Sequence, residues 1–451
     1  MAQPYQVDYG EGFVLGMLAR MARGLSLYPP ATQPPYVINP YGPVGYYVLA
    51  PIVRLFGVGF RAPRVVVFAA GICCASAVAV LVRQSCGSIS IGMAFGALYL
   101  TKPVVQYWLP RLRMDLLALA LSFAGLVIFA KRDRWYFSIP LFVAAFYCKS
   151  LYVAAPAACF LSLVTERDWR LLRKFVGSLI AVTGLVFLVM QRVTGGWFVF
   201  HTVWSSASHP FRVSVALDSL LHECRSNFLL IALALLPPVL QLARTDRARR
   251  LKIISLPLLY FWLSFAALLA SGKMGATDNY FLEWEAALCV CAGIGYKDFI
   301  EATKGWRPAA TVVLPAILAL VALSGFQRLP VDNLRRFLGC SGAYQYVRQH
   351  ASDRMLSENI GAVVLAGKEP VVLEPFDWTR EVVGARWSDA AVVSSIDSRQ
   401  IDLVVLNSPA DQPDDSLYRW PHEVSKAIEE NYAVSATFQC TDANFVYTPK
   451  K

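Results

Sequence analysis

The stretch DLLALALSFAGLVIFA, residues 115–130, decides the fold of this chain. After Asp115 it carries no charge, and its length approaches the roughly 20 apolar residues with which a helix crosses a bilayer. Similar runs recur, and we place them at 64–82, 88–108, 115–130, 175–192, 226–243, 253–270, 284–300 and 309–326. The sequence therefore predicts a mainly α, polytopic transmembrane helical bundle.

A longer apolar stretch, residues 136–164, is interrupted at Lys149. A single span there would put its basic flanks on opposite sides of the membrane, against the tendency of Lys and Arg to stay in the cytoplasm. We therefore interpret this stretch as two short helices that turn at Lys149. With them the bundle has about ten spans.

The composition excludes several classes of protein. Of the 451 residues, 56% are hydrophobic and 16% are charged, and the mean hydropathy is +0.46. Soluble domains have roughly 25% charged residues. The low charge and 13% aromatic content exclude a disordered chain. Ten cysteines are too few at this length for a disulfide-stapled small protein.

The net charge of +11 is distributed unevenly. Residues 327–451 hold 13 basic and 17 acidic residues, so the basic excess belongs to the first 326 positions. There, alternate loops collect 16 basic residues against six acidic ones, which marks their face as cytoplasmic. The excess therefore sets the membrane topology, and nucleic acid is excluded as a partner. The loops at 109–114, 193–225 and 271–283 and the tail from 327 then face outward.

We predict three domains. Residues 1–60 form a first outer loop with interfacial helices, because the apolar stretch 43–56 is short for a span and contains Pro51 and Arg54. No signal sequence precedes Asp8, so we expect the natural protein to carry one more N-terminal span. Residues 61–326 form the transmembrane catalytic domain, and residues 327–451 form an extracytoplasmic α/β domain.

The tail alternates short strands and helices. It contains no phosphate-binding loop and no metal-ligand spacing, so we assign it no chemistry. Cys340 and Cys440 bracket it, and both a disulfide and two free buried cysteines remain open. We predict helices at 342–351 and 418–431, strands at 362–366, 370–374 and 401–407, and paired strands in YAVSATFQC and NFVYT.

Charged residues gather in four outward-facing segments. VDYGEG places Asp8 and Glu11 on one face of a helix, PRLRMD places Arg113 before Asp115, and Lys149 lies at the turn between two helices. The fourth segment, SGKMGATDNYFLEWE, contains Lys273, Asp278, Asn279, Tyr280 and Glu283.

Carboxylates beside cations suit one reaction especially well. A carboxylate accepts the proton of an attacking hydroxyl, and Arg or Lys neutralises a departing phosphate. Such a site would transfer a sugar from a lipid phosphate. Two simpler interpretations stay open: outer loops are polar in any membrane protein, and an acid at a helix start, such as Asp115, is favoured by the helix dipole.

Several motifs resemble the GT-C glycosyltransferases, the polyisoprenyl-phosphate-sugar-dependent enzymes that include protein mannosyltransferases and the lipid A aminoarabinose transferase. DYGEG, LYPP, NPYGPVGYY and RLFG resemble the first outer loop of that family, and RMDLLALALSFAGL resembles its second-loop acidic motif and following helix. CKSLYVAAPAA, TGGWFVFH and KMGATDNYFLEWEAAL are similar to later segments of bacterial members of family 39.

The resemblance implies an inverting glycosyltransferase of the bacterial inner membrane with its active site on the extracytoplasmic side. Asp8 takes the role of general base, with Glu11 as its neighbour and Asp115 as the second acid. The donor is a polyprenyl-phosphate-linked sugar, and the acceptor is a hydroxyl of a glycan, lipid or protein. Arg113, Lys149 and Lys273 would bind the lipid phosphate. Asn279, Tyr280 and Glu283 would contact the sugar or the acceptor.

The chain departs from the family at two places. Asp8 and Glu11 are separated by two residues, whereas many members have adjacent acids, so either could be the base. SSASHPF carries Ser and His where asparagines are expected. His201 and His209 are the candidates for a divalent metal site, but single loop histidines are usually not ligands, and we predict no cofactor.

Two other functions compete with an enzyme. A transporter or flippase of lipid-linked sugars would place its charges near the bilayer midplane in repeated halves, whereas here they gather at one face and no internal repeat appears. A structural or sensory protein built around the tail would leave the outer carboxylates without a role.

Overall fold

The computed structural model describes residues 3–207, 209–243, 255–302, 332–412, 419–440 and 443–451, together with residues 315, 316 and 319. These residues are mainly helical. In a bilayer only a complete intrahelical ladder satisfies every backbone N–H and C=O, so apolar runs form helices. The predicted span at 309–326 and the basic loop at 244–252 lie outside the described residues, apart from those three positions.

The described part of the chain before residue 303 consists mainly of helices. Its α-helices of six or more residues are α1 (Tyr9–Ala22), α2 (Pro43–Phe56), α3 (Arg61–Cys86), α4 (Ile89–Thr101), α5 (Pro103–Trp108), α6 (Asp115–Phe129), α7 (Ser138–Phe146), α8 (Ala154–Thr165), α9 (Trp169–Val193), α10 (Val213–Ser226), α11 (Phe228–Ala243), α12 (Leu256–Ala267) and α13 (Phe281–Ala302).

Few of these helices are long. Among the described residues, α3 and α9 are long and apolar enough to cross a membrane, and α10 with α11 gives a third candidate if this pair, bent by 81°, is one span. The run at 88–108 is not one helix, because Pro103 lacks an N–H and disfavours the helical conformation of the residue before it. The total of about ten spans remains a prediction.

The turn at Lys149 is confirmed. Helix α7 ends at Phe146 and α8 begins at Ala154, so Lys149 lies in the connection between them. The predicted helix at 43–56 is also present as α2.

The C-terminal part contains α14 (Asp332–His350), β1 (Met355–Ser357), α15 (Ile360–Leu365), α16 (Pro375–Val383), α17 (Ala390–Asp397), β2 (Leu403–Leu406), α18 (His422–Asn431), β3 (Tyr432–Gln439) and β4 (Ala443–Pro449). Its four strands form one sheet in the order β1-β2-β4-β3. Strands β1 and β2 are parallel, and β4 pairs antiparallel with both β2 and β3. This part is a small α/β unit.

Two predicted strands are absent from their positions. Residues 362–366 belong to α15, whose first turn is capped by Asn359. Residues 370–374 contribute only an isolated bridge between Val372 and Tyr36. The pattern of a short, continuously apolar run does not distinguish a buried strand from a buried helix. The prediction of strands at these positions is therefore wrong. The strand at 401–407 and the pairing of the last two strands are confirmed.

Cys340 and Cys440 form a disulfide, which decides between the two alternatives that the sequence leaves open. The bond joins α14 to the segment that follows β3.

The C-terminal unit lies on one end of the helical part. The backbone of Tyr36 pairs with Val371 and Leu373, and Ile360, Val364 and Leu373 belong to the same buried apolar cluster as α1. Arg20 at the end of α1 forms an ion pair with Glu369. A continuous core therefore joins the two parts.

Candidate functional site

A cavity of about 530 Å³ lies where the C-terminal unit meets the helical part. Asp8, Arg113, Lys149, Lys273, Asn279 and Tyr280, all predicted site residues, line it. His209, Glu374, Phe376, Asp377 and Arg419 line it as well, and none of these was predicted to bind substrate. The structure thus brings together side chains from the start, middle and end of the chain.

Asp8 lies at the N-terminus of α1, where its extended backbone ends the preceding loop and its carboxylate caps the helix. Its Oδ2 accepts hydrogen bonds from the amide of Gly10 and from Nη1 of Arg113, both at 3.1 Å. Within the described residues, Oδ1 has no such partner. One oxygen of Asp8 is therefore fixed and the other is available to accept a proton.

Gly10 permits this contact with Arg113. A methyl group at Gly10 would lie 1.2 Å from Nη1 of Arg113, so any side chain there would displace the guanidinium. In the sequence Asp-Tyr-Gly, the glycine two positions after the acid leaves space for the guanidinium of Arg113 to reach Asp8.

Glu11 has a different environment. It is fully buried, its two oxygens accept from Nε and Nη2 of Arg64 at 2.8 and 2.7 Å, and they also accept from the amides of Val7 and Leu112. Both oxygens are thus occupied, and Glu11 does not line the cavity. The structure thus places the predicted catalytic residue Glu11 outside the cavity, where it fixes the start of α1 against α3 and the loop at 109–114.

Asp115 lies one layer behind the cavity surface. It is 1% exposed, and its Oδ1 accepts from Lys149 and, at 2.8 Å, from Nδ2 of Asn279. Lys149 also lies 5.3 Å from the ring centre of Tyr280. Asp115 therefore orients two cavity side chains and does not reach the cavity itself.

Lys273 is the least engaged cation of the cavity. In the described part of the chain its ammonium group forms no hydrogen bond or ion pair, whereas Arg113 and Lys149 are paired with Asp8 and Asp115. Burial lowers the pKa of Lys273, and the charge of Asp377 opposes that shift. An anionic ligand would supply the missing partner.

Glu283 is predicted to contact substrate, but the structure places it elsewhere. It is 3% exposed and accepts a hydrogen bond from the hydroxyl of Tyr260 at 3.1 Å, away from the cavity lining. A spacing of four residues places two side chains on one face only within a continuous α-helix. Asn279 precedes α13, which begins at Phe281, so Asn279 and Glu283 do not share a face.

The C-terminal unit supplies an acidic wall. Glu374 caps α16 by accepting from the amide of Asp377, and Asp377 Oδ1 lies 2.9 Å from Nε2 of His209. Burial, together with the charge of Asp377, raises the pKa of Glu374 to about 8. Arg419 lies 4.3 Å from the ring centre of Tyr9. These groups can hydrogen-bond hydroxyls as both donors and acceptors.

His201 is a structural residue. Its Nδ1 accepts from the amide of Asn39 at 3.1 Å, and burial lowers its pKa to about 4. Across the described residues, no group of three His, Cys, Asp or Glu side chains is placed to hold a metal ion.

Comparison with known proteins identifies the fold. Residues 39–192 match the family model of dolichyl-phosphate-mannose-protein mannosyltransferase. The structure is similar to ArnT from Cupriavidus metallidurans bound to undecaprenyl phosphate, with a TM-score of 0.64 and 14% identity over 98% of this chain and 94% of that chain. The chain has the GT-C glycosyltransferase fold. The resemblance predicted from the sequence is confirmed at the level of the fold.

A more distant similarity agrees with this fold. The archaeal oligosaccharyltransferase AglB from Archaeoglobus fulgidus, in complex with an inhibitory peptide and a dolichol-phosphate, matches with a TM-score of 0.52 and 12% identity over 98% of this chain and 70% of that chain. The apo state of ArnT from Cupriavidus metallidurans matches about as well as the bound state, with a TM-score of 0.63 and 14% identity over 97% of this chain and 92% of that chain. No curated protein matches by sequence.

The cavity of this GT-C fold can support transfer chemistry. It holds a carboxylate with an available oxygen, the cations Arg113, Lys149 and Lys273, and the acidic wall. Sequence analysis missed the wall because its residues are separated from Asp8 by more than 360 positions, and only the docked C-terminal unit brings them close. The sole local signal was the start of α16, where Pro375 follows an acidic cap.

Proposed function

We propose that this chain transfers a sugar from a polyprenyl-phosphate-linked donor to a hydroxyl acceptor at the extracytoplasmic face of the membrane, with inversion at the anomeric carbon. The observation that carries the proposal is the free Oδ1 of Asp8 in a cavity whose other groups include Arg113, Lys149 and Lys273. The similar ArnT and AglB structures contain undecaprenyl phosphate and a dolichol-phosphate, which supports a lipid phosphate as the leaving group.

In this mechanism Asp8 is the general base. Its Oδ1 accepts the proton of the acceptor hydroxyl while the hydroxyl oxygen attacks the anomeric carbon, and the bond from that carbon to the phosphate oxygen breaks. Attack from the face opposite the phosphate inverts the configuration. Arg113 keeps Oδ2 in a fixed direction, so the carboxylate is preorganised for the proton transfer.

The leaving polyprenyl phosphate gains negative charge as the bond breaks. Lys273 neutralises that charge, a role supported by the absence of any other anion in hydrogen-bonding contact with it among the described residues. Lys149 adds a second cation to the same cavity. Asp115 supports this step indirectly by orienting Lys149 and Asn279.

The acidic wall then provides contacts for the sugar or acceptor. Glu374 with a raised pKa is protonated near neutral pH and donates a hydrogen bond, while Asp377 accepts one. A pair of this kind suits neighbouring hydroxyls of a polyhydroxylated ligand. The identity of the sugar is decided by this wall together with Tyr280 and Asn279.

An assay with a radiolabelled polyprenyl-phosphate sugar and purified chain in lipid vesicles tests the proposal. Asp8→Asn should lower the transfer rate by about 10² to 10⁴, the usual contribution of a general base. Asp218→Asn is the matched control, because Asp218 is an exposed carboxylate of α10 that does not line the cavity. Near-normal transfer by Asp8→Asn would contradict the mechanism.

A second experiment identifies the substrates. Mass spectrometry of surface glycans and glycoproteins from a deletion strain should show the loss of one sugar from one class of acceptor. That loss names the donor sugar and the acceptor together. Loss of the sugar with the lipid-linked donor retained on the cytoplasmic side of the membrane would instead favour a flippase.

A further inference from the structure

The segment before α1, residues 3–8, runs between the helical part and the C-terminal unit. It has no regular secondary structure of its own and ends at Asp8. Gly10 and Arg113 hold the Asp8 carboxylate directly. Because no helix or strand holds residues 3–7, the path by which the chain reaches Asp8 depends on what contacts this segment from each side.

Arg64 of α3 holds the segment from the helical side. Its Nη1 donates to the carbonyl of Gln3 at 2.6 Å, and its Nη2 donates to the carbonyl of Tyr5 at 2.8 Å. The same guanidinium forms the buried ion pair with Glu11. This contact fixes one edge of the segment to the bundle.

The C-terminal unit holds the opposite edge. The amide of Gln6 donates to the hydroxyl of Tyr344 at 2.9 Å, and the amide of Gly361 donates to Oε1 of Gln6 at 2.8 Å. The rings of Tyr5 and Tyr344 are 4.5 Å apart. The Tyr344 hydroxyl in turn donates to Asn359 Oδ1 at 3.1 Å, which fixes its direction.

Two glycines shape the space for the Gln6 side chain. A methyl group at Gly12 of α1 would lie 1.9 Å from Oε1 of Gln6, and one at Gly361 of α15 would lie 2.8 Å from the same atom. The Gln6 side chain therefore fits between α1 and α15 only because both helices carry glycine at these positions. Gln6 is only 6% exposed.

We propose that the C-terminal unit positions the general base through Gln6, and that Gln6 and Tyr344 are positioning residues for Asp8. The proposal rests on the proposed function, since the role of Asp8 as base belongs to it. Neither residue lines the cavity, so neither touches the substrate. Their effect is to set the place and direction of a carboxylate two residues away from Gln6.

The expected kinetic result follows from this geometry. The cations that would bind the lipid phosphate keep their places without Gln6, so KM for the donor should stay within about twofold. A base displaced by about 1 Å can lower the rate by about 10²-fold, so kcat should fall about 10- to 100-fold. A purely structural role would lower the amount of folded protein and leave kcat per folded molecule unchanged.

Tyr344→Phe and Gln6→Ala test the proposal in the full chain, with Tyr346→Phe as matched control. Tyr346 lies on the same helix as Tyr344, but its hydroxyl donates to Ser435 inside the C-terminal unit, and its ring contacts Phe438 and His350. We expect Tyr344→Phe and Gln6→Ala to lower kcat and Tyr346→Phe to leave it unchanged. If Gln6→Ala does not fold, Tyr344→Phe, which removes only one hydroxyl, still distinguishes a positioning role from a structural one.

Hydrogen exchange of residues 3–12, measured by mass spectrometry on the same proteins, separates the two proposals. Tyr344→Phe should speed exchange in this segment, and Tyr346→Phe should not. Unchanged exchange, or faster exchange with unchanged kcat, would overturn the positioning role. If the wild-type chain transfers no sugar but Tyr344→Phe still speeds exchange, the proposed function fails while the contact of the C-terminal unit with the segment stands.

Discussion

Asp8 and Glu11 lie within one turn of the same helix, yet they meet opposite surroundings. Asp8 faces the cavity and keeps one oxygen available, whereas Glu11 is fully buried and bound by Arg64 and two backbone amides. Their sequence spacing could not distinguish them. The difference arises from contacts with α3 and the Arg113 loop, which lie far away along the chain.

Glu11→Gln tests this difference through stability. Removing one charge of a buried ion pair leaves Arg64 uncompensated and should cost about 3 to 5 kcal/mol. We expect a clear fall in the apparent Tm of the detergent-solubilised protein. Asp8→Asn, at the partly exposed pair with Arg113, should change the Tm little. A stable but inactive Glu11→Gln protein would instead make Glu11 the base.

Glu374 should make stability depend on pH. Burial beside Asp377 raises its pKa to about 8, above the value of about 4.5 in an unfolded chain. Between these values the folded state binds the proton more tightly, so the contribution of this group to stability falls as pH rises from about 4.5 to 8. Glu374→Gln removes this loss and keeps a hydrogen-bond acceptor for the Asp377 amide.

The measurement is the apparent Tm of wild type and Glu374→Gln at pH 5 and pH 8. We expect the variant to gain stability relative to wild type at pH 8 and to differ less at pH 5. Glu423→Gln, an exposed acid of the same unit, serves as control and should show no such trend. An equal difference at both pH values would contradict a raised pKa.

Local motifs in the sequence predicted one carboxylate and three cations that line the cavity. Asp8, Arg113, Lys149 and Lys273 all reach the cavity. These motifs did not identify Glu374, Asp377 or Arg419, because a charged residue of a docked unit looks locally like any solvated surface residue. Only the packing of α16 against the helical part reveals which of the tail carboxylates are buried.

At the scale of helices, the polar residues that interrupt the apolar runs contact one another inside the protein. Lys102 lies at the break between α4 and α5, and Asn227 lies at the bend between α10 and α11. Lys102 contacts both Asn227 and Glu285 of α13, and Nδ2 of Asn227 donates to Glu223 at 2.9 Å. One buried polar cluster thus joins these two helix interruptions to α13.

Lys102→Met should therefore be strongly destabilising. The ammonium lies 3.0 Å from Glu285 Oε2 with both side chains buried, so its loss leaves an unpaired carboxylate and should cost about 3 to 5 kcal/mol. Arg134→Met is the control, because Arg134 and Asp133 are both exposed and such pairs contribute about 0 to 1 kcal/mol. Thermal unfolding in detergent measures both. Equal shifts would show that the cluster does not stabilise the bundle.

The elements predicted with most success are those with a physical signal in the local sequence. A charge inside an apolar stretch predicted the turn at Lys149, and alternating apolar residues predicted the pairing of β3 with β4. Residues 362–366 carry the apolar texture of a buried strand, but Asn359 starts a helix there. Length distinguishes helix from strand poorly in runs this short.

At the scale of the whole molecule, the disulfide between Cys340 and Cys440 closes a loop of 100 residues that contains most of the C-terminal unit. A crosslink over such a loop contributes about 2 to 5 kcal/mol. We expect reductant to lower the melting temperature of the wild-type chain and to have no further effect on the double variant Cys340→Ser, Cys440→Ser.

Cys224→Ser is the control, since Cys224 is a free thiol. This variant should keep the wild-type response to reductant. If reductant left the wild-type melting temperature unchanged, the unit would not depend on the bond for its stability. Transfer assays on the reduced protein would then show whether the acidic wall needs the bond to stay in place.

The cavity joins Asp8 and Arg419, which are 411 positions apart. At a synthesis rate of about 5 to 20 residues per second, a ribosome needs roughly 20 to 80 seconds to pass from one to the other. During that interval Asp8 is already made, but the acidic wall and the residues that contact Gln6 are not. A nascent chain therefore cannot assemble the cavity, which is complete only after the last part of the protein has been made, has folded and has docked.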